Sequence, residues 1–434
     1  MYCKAKISTE KLQAYKRFMG STEGLLCKAP YSSLYFNPDG RVTPCCVYDR
    51  NMAWGFYPAI SIDAILKSKL RRKLQKKIRA NCLDYGCTLC EYTITSNNFE
   101  GVIARQYENH IIDKHYPYKL EFELSHYCNL DCIMCGTHNR SGINQIYCSE
   151  KFLEDIDPCI YHARQCSFYG GEPFLNDVYF KLWSRLNEVN KGCIIYVQTN
   201  GTICNEKILS LIENKNIWLG VSIDALSEPL YNKIRSGGNL KLVLENIEKF
   251  SNVMRSNKRH LSISVCPMPL NIEEIPLLWD FVNSLHAEIY FNTVNFPRNL
   301  SFTLTPSKTL LKYNDLLDIT SRKTFDNPHS DINKKRLDSL RQMILQYADR
   351  NKTFEETILP QPVDAVILSI EKSLGIKKHK DLFSEIFRNT KSRTVSPLVI
   401  GDLNALGLPL LKKTIISHLK NHDFETIKKI IAIE

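Results

Sequence analysis

YKLEFELSHYCNLDCIMC, residues 118–135, decides how the rest of the chain is read. Leu120, Phe122 and Leu124 alternate with Lys119, Glu121 and Glu123, and this period of two predicts a strand. Cys128, Cys132 and Cys135 follow as C-x3-C-x2-C, which puts three thiols on the loop leaving that strand. Three thiolates on one short loop can hold three irons of a 4Fe–4S cube and leave the fourth iron open. A zinc site normally closes with four ligands and favours paired C-x2-C spacings.

Working outward, FYGGEPFL (168–175), VQTNG (197–201) and VSIDA (221–225) come next, in that order. With these segments the chain resembles the radical S-adenosylmethionine (SAM) enzymes. The resemblance implies that the open iron chelates the amino and carboxylate groups of SAM. The reduced cluster then cleaves the sulfonium to a 5′-deoxyadenosyl radical. It further implies that Gly170, Gly171, Glu172 and Pro173 hold the SAM amino group. Glycine lets backbone approach a ligand closely, and Glu172 offers acceptors to an ammonium. Asn200, Ser222 and Asp224 fall at the ends of successive strands, where they suit ribose hydroxyls or the SAM carboxylate; each alone reads as a turn or cap residue. Arg235, in YNKIRSGG, resembles the family arginine near that carboxylate, and its plain alternative is a surface ion pair. The residue before the third cysteine is commonly aromatic in the family and packs on adenine. Here it is Met134, whose thioether can make a polarizable contact instead.

The candidate strands from Tyr118 onward are Leu120–Leu124, Gln165–Phe168, Cys193–Gln198, Trp218–Ile223, Leu261–Val265 and Glu288–Asn292. Helical patterns at Leu182–Val189, Glu206–Ile212, Leu240–Phe250 and Ile275–Leu285 separate them. The alternation predicts an α/β fold with a parallel sheet. The resemblance makes it a partial (β/α)6 TIM barrel, with its chemistry at the carboxyl ends of the strands.

In the first hundred residues, CKAPYSSLYFNPDGRVTPCC runs from Cys27 to Cys46. Asn37-Pro38-Asp39-Gly40 predicts a turn between two short strands, which brings Cys27 and Cys45 near one another. A helical stretch over 61–79 follows, then NCLDYGCTLC, in which Cys87 and Cys90 form a C-x2-C pair. Four thiols in this layout suit an iron–sulfur cluster or a structural zinc. The layout resembles the twitch and SPASM auxiliary-cluster domains of radical SAM enzymes, set here before the barrel. By that resemblance Cys27, Cys45, Cys87 and Cys90 hold an auxiliary 4Fe–4S cluster, with Cys46 and Cys82 ranked behind them. The expected domains are 1–100, a linker at 101–116, the barrel at 117–305 and a helical C-terminal region at 306–434.

The chain has 434 residues, a hydrophobic content of 44% and a charged content of 24%, ordinary for a globular protein. No apolar run approaches the ~18 residues of a membrane helix. The first twenty residues lack the apolar core of a signal peptide, so the expected location is cytoplasmic. Sixteen cysteines in such a chain point to metal ligands and reduced thiols rather than a disulfide framework. The net charge of +11 is spread over basic runs such as Lys67–Arg79 and Lys377–Lys380. Such runs are commonly solvated helix faces, and charge alone does not select a nucleic-acid partner. Cys266, after the fifth strand, suits hydrogen-atom donation or plain packing, and His126 and His138 flank the cluster loop.

The expected function is SAM-radical hydrogen abstraction from a peptide or protein, with a flavodoxin- or ferredoxin-like reductant. Oxidation of a small alcohol, sugar or nucleoside is the second reading. A non-catalytic iron–sulfur or zinc protein is the reading from another class, and GGEP with the ordered strand-end polar residues speaks against it.

Overall fold

The computed structural model describes residues 7–20, 24–95, 99, 101–135, 147, 149–295, 297–374 and 394–405, with positions 415, 427 and 431. It divides into two compact units: Met1–Ile223 with Ser227–Ser264, and Asp224–Leu226 with Val265–Glu434.

The sheet of the first unit runs in the order Gly55–Phe56, Arg41–Thr43, Ser33–Phe36, Lys119–Phe122, Gln165–Phe168, Ile194–Thr199, Ile217–Ser222 and Leu261–Val265. The first three strands are antiparallel, and every pairing from Ser33–Phe36 onward is parallel. Helices Glu150–His162, Asp177–Val189, Glu206–Asn214 and Leu240–Ser256 lie between successive strands. This is the α/β parallel architecture that the alternation predicts, and it is consistent with the partial barrel that the resemblance implies. The sixth expected strand forms at Glu288–Phe291 in the second unit, where the Asn292 N–H reaches the Val265 carbonyl at 2.8 Å.

The N-terminal strand Ser33–Phe36 pairs in parallel with Lys119–Phe122, placing Tyr35 beside Glu121 and Phe36 beside Phe122. The strands Ser33–Phe36, Arg41–Thr43 and Gly55–Phe56 therefore share one sheet with the parallel strands. Phe36, Phe122 and Phe168 form one rung, with ring centroids 5.3 and 5.0 Å apart, and Trp183 of a covering helix meets Phe168 edge-on. The opposite face carries Lys119 and Glu121, both buried, with Lys119 Nζ 3.0 Å from Glu121 Oε1. Every residue of this strand is buried, so both its faces are covered and the polar residues satisfy one another.

The expected helix over 61–79 is two helices, Ile62–Leu66 and Lys69–Arg79. Ser61 and Ser68 each cap one, accepting from the N–H groups of Ala64 and Arg71. A second N-cap inside a helical pattern starts a new helix. Helix Glu150–His162 contains Pro158, an interruption that hides it from periodicity.

In the second unit the described helices after Pro297 include Ser307–Ser321, Ser330–Thr357, Val363–Leu374 and Pro397–Ala405. Asp402 pairs with Arg298 and, at 2.9 Å, with Arg350, which ties the Pro397–Ala405 helix to the long Ser330–Thr357 helix. Of the expected helical C-terminal region, residues 375–393 and 406–434 lie outside the described residues, apart from the buried positions Ile415, Ile427 and Ile431. Among the described residues no helix is long and apolar enough to cross a membrane.

Candidate metal and cofactor site

The cluster loop leaves the Lys119–Phe122 strand and is held from two sides. Asp131 and Cys132 pair antiparallel with Ser236 and Arg235, which brings Arg235 Nη1 within 3.9 Å of Cys132 Sγ. The Cys128 sulfur accepts from the Leu130 N–H at 3.4 Å and from Asn200 Nδ2 at 3.6 Å. Burial raises the Cys128 thiol, and these two donors pull it back down. Cys132 and Met134 are half-buried and Cys135 is exposed. Cys148 and His138 lie outside the described residues, and His126 Nε2 stands 3.4 Å from Glu123 Oε1.

Gly170 and Gly171 close the next strand with φ of +79° and +53°. A Cβ on Gly171 would stand 1.9 Å from the Tyr127 carbonyl oxygen, the same oxygen that accepts the Glu172 N–H at 2.8 Å. The glycine pair thus lets the 170–173 turn press against the residue preceding Cys128. We expect Gly171→Ala to lower the stability of the metal-free chain by about 1–3 kcal/mol, read as a drop in the urea midpoint.

Glu172 is turned inward, at 1% exposure. Its carboxylate accepts from the Thr199 hydroxyl (2.6 Å), the Asn200 N–H (2.7 Å) and the Phe174 N–H (3.1 Å). The side-chain acceptors expected to meet an ammonium are thus engaged in fastening the turn to the Ile194–Thr199 strand. Burial pushes the carboxyl up to about 7, against the pull of these donors and Arg235. Since the folded value lies above the ordinary 4.5, this group's contribution to stability is complete below about pH 4.5 and is lost as pH rises through about 7. Glu172→Gln is expected to flatten that part of the Tm–pH profile of the metal-free chain. It should also cost about 1–3 kcal/mol, because an amide cannot accept at both ends.

Asn200 braces the cluster loop through Asn129 Oδ1 at 2.9 Å and also accepts from the Thr202 N–H. Ser222 accepts from Gln198 Nε2 at 2.8 Å. Asp224 belongs to the second unit, where its carboxylate accepts the Cys266 N–H and its carbonyl accepts from Asn271. The strand-end polar residues therefore carry structural hydrogen bonds of their own.

The second cysteine set lies between residues 27 and 90. Cys27, Cys45, Cys87 and Cys90 line one cavity, walled also by Leu74 and Tyr107. Burial pushes all four thiols up, and Cys45 is raised further by Cys46, Cys90, Cys27 and Cys87. Four thiolates could share this space only with a cationic centre among them, so the donor set fits a polynuclear cluster, whose ligands stand further apart than those of one ion. Backbone N–H groups already point at two of the sulfurs: Ala29 at Cys27, and Ala104 and Ile103 at Cys90. Cys46, which is exposed at the surface, does not line that cavity. Cys82 is disulfide-bonded, which withdraws it from the set. Among the described residues, no three His, Cys, Asp or Glu side chains are gathered tightly enough for a single metal ion.

Tyr107 went unnoticed in the sequence because it falls in the stretch read as a linker. Its ring helps wall the four-cysteine cavity, and its hydroxyl donates to Glu121 Oε1 at 2.9 Å. The Lys119 ammonium lies 5.4 Å from the Tyr107 ring centroid.

Residues 122–282 match the family model of the radical SAM superfamily, and residues 27–91 match SPASM, an iron–sulfur cluster-binding domain. An uncharacterized protein of Methanocaldococcus jannaschii is 28% identical over 210 residues, covering 47% of this chain and 71% of the relative. The GTP 3′,8-cyclase of Clostridium perfringens is 26% identical over 134 residues, or 30% of this chain and 42% of the cyclase. This chain therefore spans less than half of that enzyme. Among solved structures, Streptococcus suis SuiB bound to precursor peptide SuiA aligns at 14% identity with a TM-score of 0.38, covering 68% of this chain and 69% of SuiB.

Proposed function

From a chain that carries a radical SAM domain behind an N-terminal SPASM iron–sulfur domain, we propose an enzyme that reductively cleaves SAM and abstracts a hydrogen atom from a peptide or protein. The radical SAM domain implies a 4Fe–4S cluster and SAM, and the SPASM domain implies an auxiliary iron–sulfur cluster. When bound, these groups supply one-electron reduction of the sulfonium and a hydrogen-abstracting radical.

The observation that carries the proposal is the packing of the glycine turn against the cluster loop. Cys128, Cys132 and Cys135 would hold three irons. The Glu172–Asn200 and Glu172–Thr199 hydrogen bonds fix the 170–173 turn, so that its backbone carbonyls, rather than the Glu172 carboxylate, present acceptors to the SAM amino group. Arg235, drawn to Cys132 by strand pairing, places a cation where the SAM carboxylate would sit. Met134 and Ser222 would meet the nucleoside. Cys27, Cys45, Cys87 and Cys90 would hold the auxiliary cluster, with Ala29, Ile103 and Ala104 N–H groups tuning it through its sulfurs.

Support for a peptide or protein substrate comes from the SPASM match, since the domains it resembles often accompany peptide modification. Anaerobic reconstitution followed by SAM and dithionite tests the core of the proposal. Release of 5′-deoxyadenosine and methionine is expected. A cluster-loaded protein that releases neither would move the chain to the non-catalytic iron–sulfur class.

A further inference from the structure

The Lys69–Arg79 helix, KLRRKLQKKIR, contains seven basic residues and no acid. Two of the seven are internal. Arg71 is buried and donates to the Pro30, Tyr31 and Leu66 carbonyls, and Lys77 is buried against Asp84. The other five, Lys69, Arg72, Lys73, Lys76 and Arg79, are exposed. Lys69, Arg72, Lys73 and Lys76 stand at i, i+3, i+4 and i+7, so they form one stripe along the outer face.

The stripe costs the helix stability. Lys69 and Lys73 are like charges one turn apart, as are Arg72 and Lys76, and such pairs destabilise a helix by about 0.2–0.5 kcal/mol each. Lys69 also stands in the first turn, where the helix dipole disfavours a cation. No acid of the helix offsets the stripe, whereas in the preceding helix Asp63 pairs with Lys67 at 2.7 Å.

The inner face of the same helix is part of the cysteine cavity. Leu74 is fully buried and walls it alongside Cys27, Cys45, Cys87 and Cys90. Lys73 lies over the ring of Tyr85, two residues before Cys87, at 4.5 Å. A helix with its side chains is about 10–12 Å across, so a protein seated on the basic stripe stands roughly one helix from the cavity.

We propose that this stripe docks an acidic one-electron carrier protein of the flavodoxin or ferredoxin kind. The reduced carrier gives up one electron there, and the cluster held by the four cysteines takes it up. The carrier leaves oxidised by one electron, and no bond is made or broken. The inference rests on the auxiliary-cluster assignment above.

The test uses the holoprotein with both clusters and compares wild type with Lys69→Glu/Arg72→Glu/Lys76→Glu. Stopped-flow absorbance follows reduction by a purified, chemically reduced bacterial flavodoxin, with photoreduced deazaflavin as the uncharged control. Wild type should show a second-order rate that falls steeply as salt is raised. The variant should be at least about 10-fold slower at low salt and nearly salt-independent, because electrostatic steering is worth 10- to 1,000-fold in association rate. Its reduction by deazaflavin, its melting temperature and its iron content should match wild type. Equal rates with flavodoxin would overturn the proposal, as would an equal loss with deazaflavin. A variant reduced normally but slow with substrate would assign the face to an acidic substrate and overturn it too. Iron near four per chain in the wild type would instead remove the auxiliary cluster, and the iron assay separates that failure from a failure of docking.

Discussion

Cys132→Ala, reconstituted anaerobically, is expected to release no 5′-deoxyadenosine above background, while its iron falls from about eight to about four per chain. The reason lies in the loop geometry. The C-x3-C-x2-C motif supplies three thiols, so the loss of one leaves a cube with two of its three proposed ligands and too little to hold it. The sulfur removed is also the one beside Arg235, so the cation expected to meet the SAM carboxylate loses its neighbour as well. The melting temperature should change little, because Cys132 is only half-buried and its backbone pairing with Arg235 does not depend on the side chain. SAM cleavage that survives the substitution would remove Cys128, Cys132 and Cys135 from the proposed role.

The complementary expectation is that Cys87→Ala/Cys90→Ala also falls from about eight to about four irons, yet still cleaves SAM. These two thiols line the four-cysteine cavity, where burial raises both and Cys90 and Cys27 raise Cys87 further. Raised thiols are neutral without a metal, so the metal-free form of the variant should lose only the packing of two small side chains. The two variants should separate by electron paramagnetic resonance. The signal of the double variant responds to added SAM, and that of Cys132→Ala does not. One equivalent of zinc lost at constant iron would instead identify the N-terminal site as structural zinc.

The barrel was legible because its strands are spaced by helices and its motifs sit where parallel strands end. Gln165–Phe168 and Leu261–Val265 form over the residues that alternation marks. The polar face of 118–135 was less transparent. Lys119, Glu121 and Glu123 alternate with the apolar residues, and in the fold Lys119 and Glu121 are buried and pair with each other. Periodicity shows that two faces differ without showing what covers the second. The role of Glu172 was hidden for a related reason, since Thr199 and Asn200, which fill its acceptors, lie a whole βα unit away. Tyr107 carried no signal at all, because a single aromatic in an irregular stretch gains meaning only when the fold lays it against four cysteines.

The parallel pairing of Ser33–Phe36 with Lys119–Phe122 bears on how a single-cluster form of the protein can be made. Deleting the first hundred residues would strip a lateral partner from the barrel's leading strand and bare a row of open amides and carbonyls, a template for intermolecular association. Such a fragment is expected to precipitate whatever its cofactor content. Side-chain replacement within the intact chain is therefore the cleaner route to separating the two metal centres.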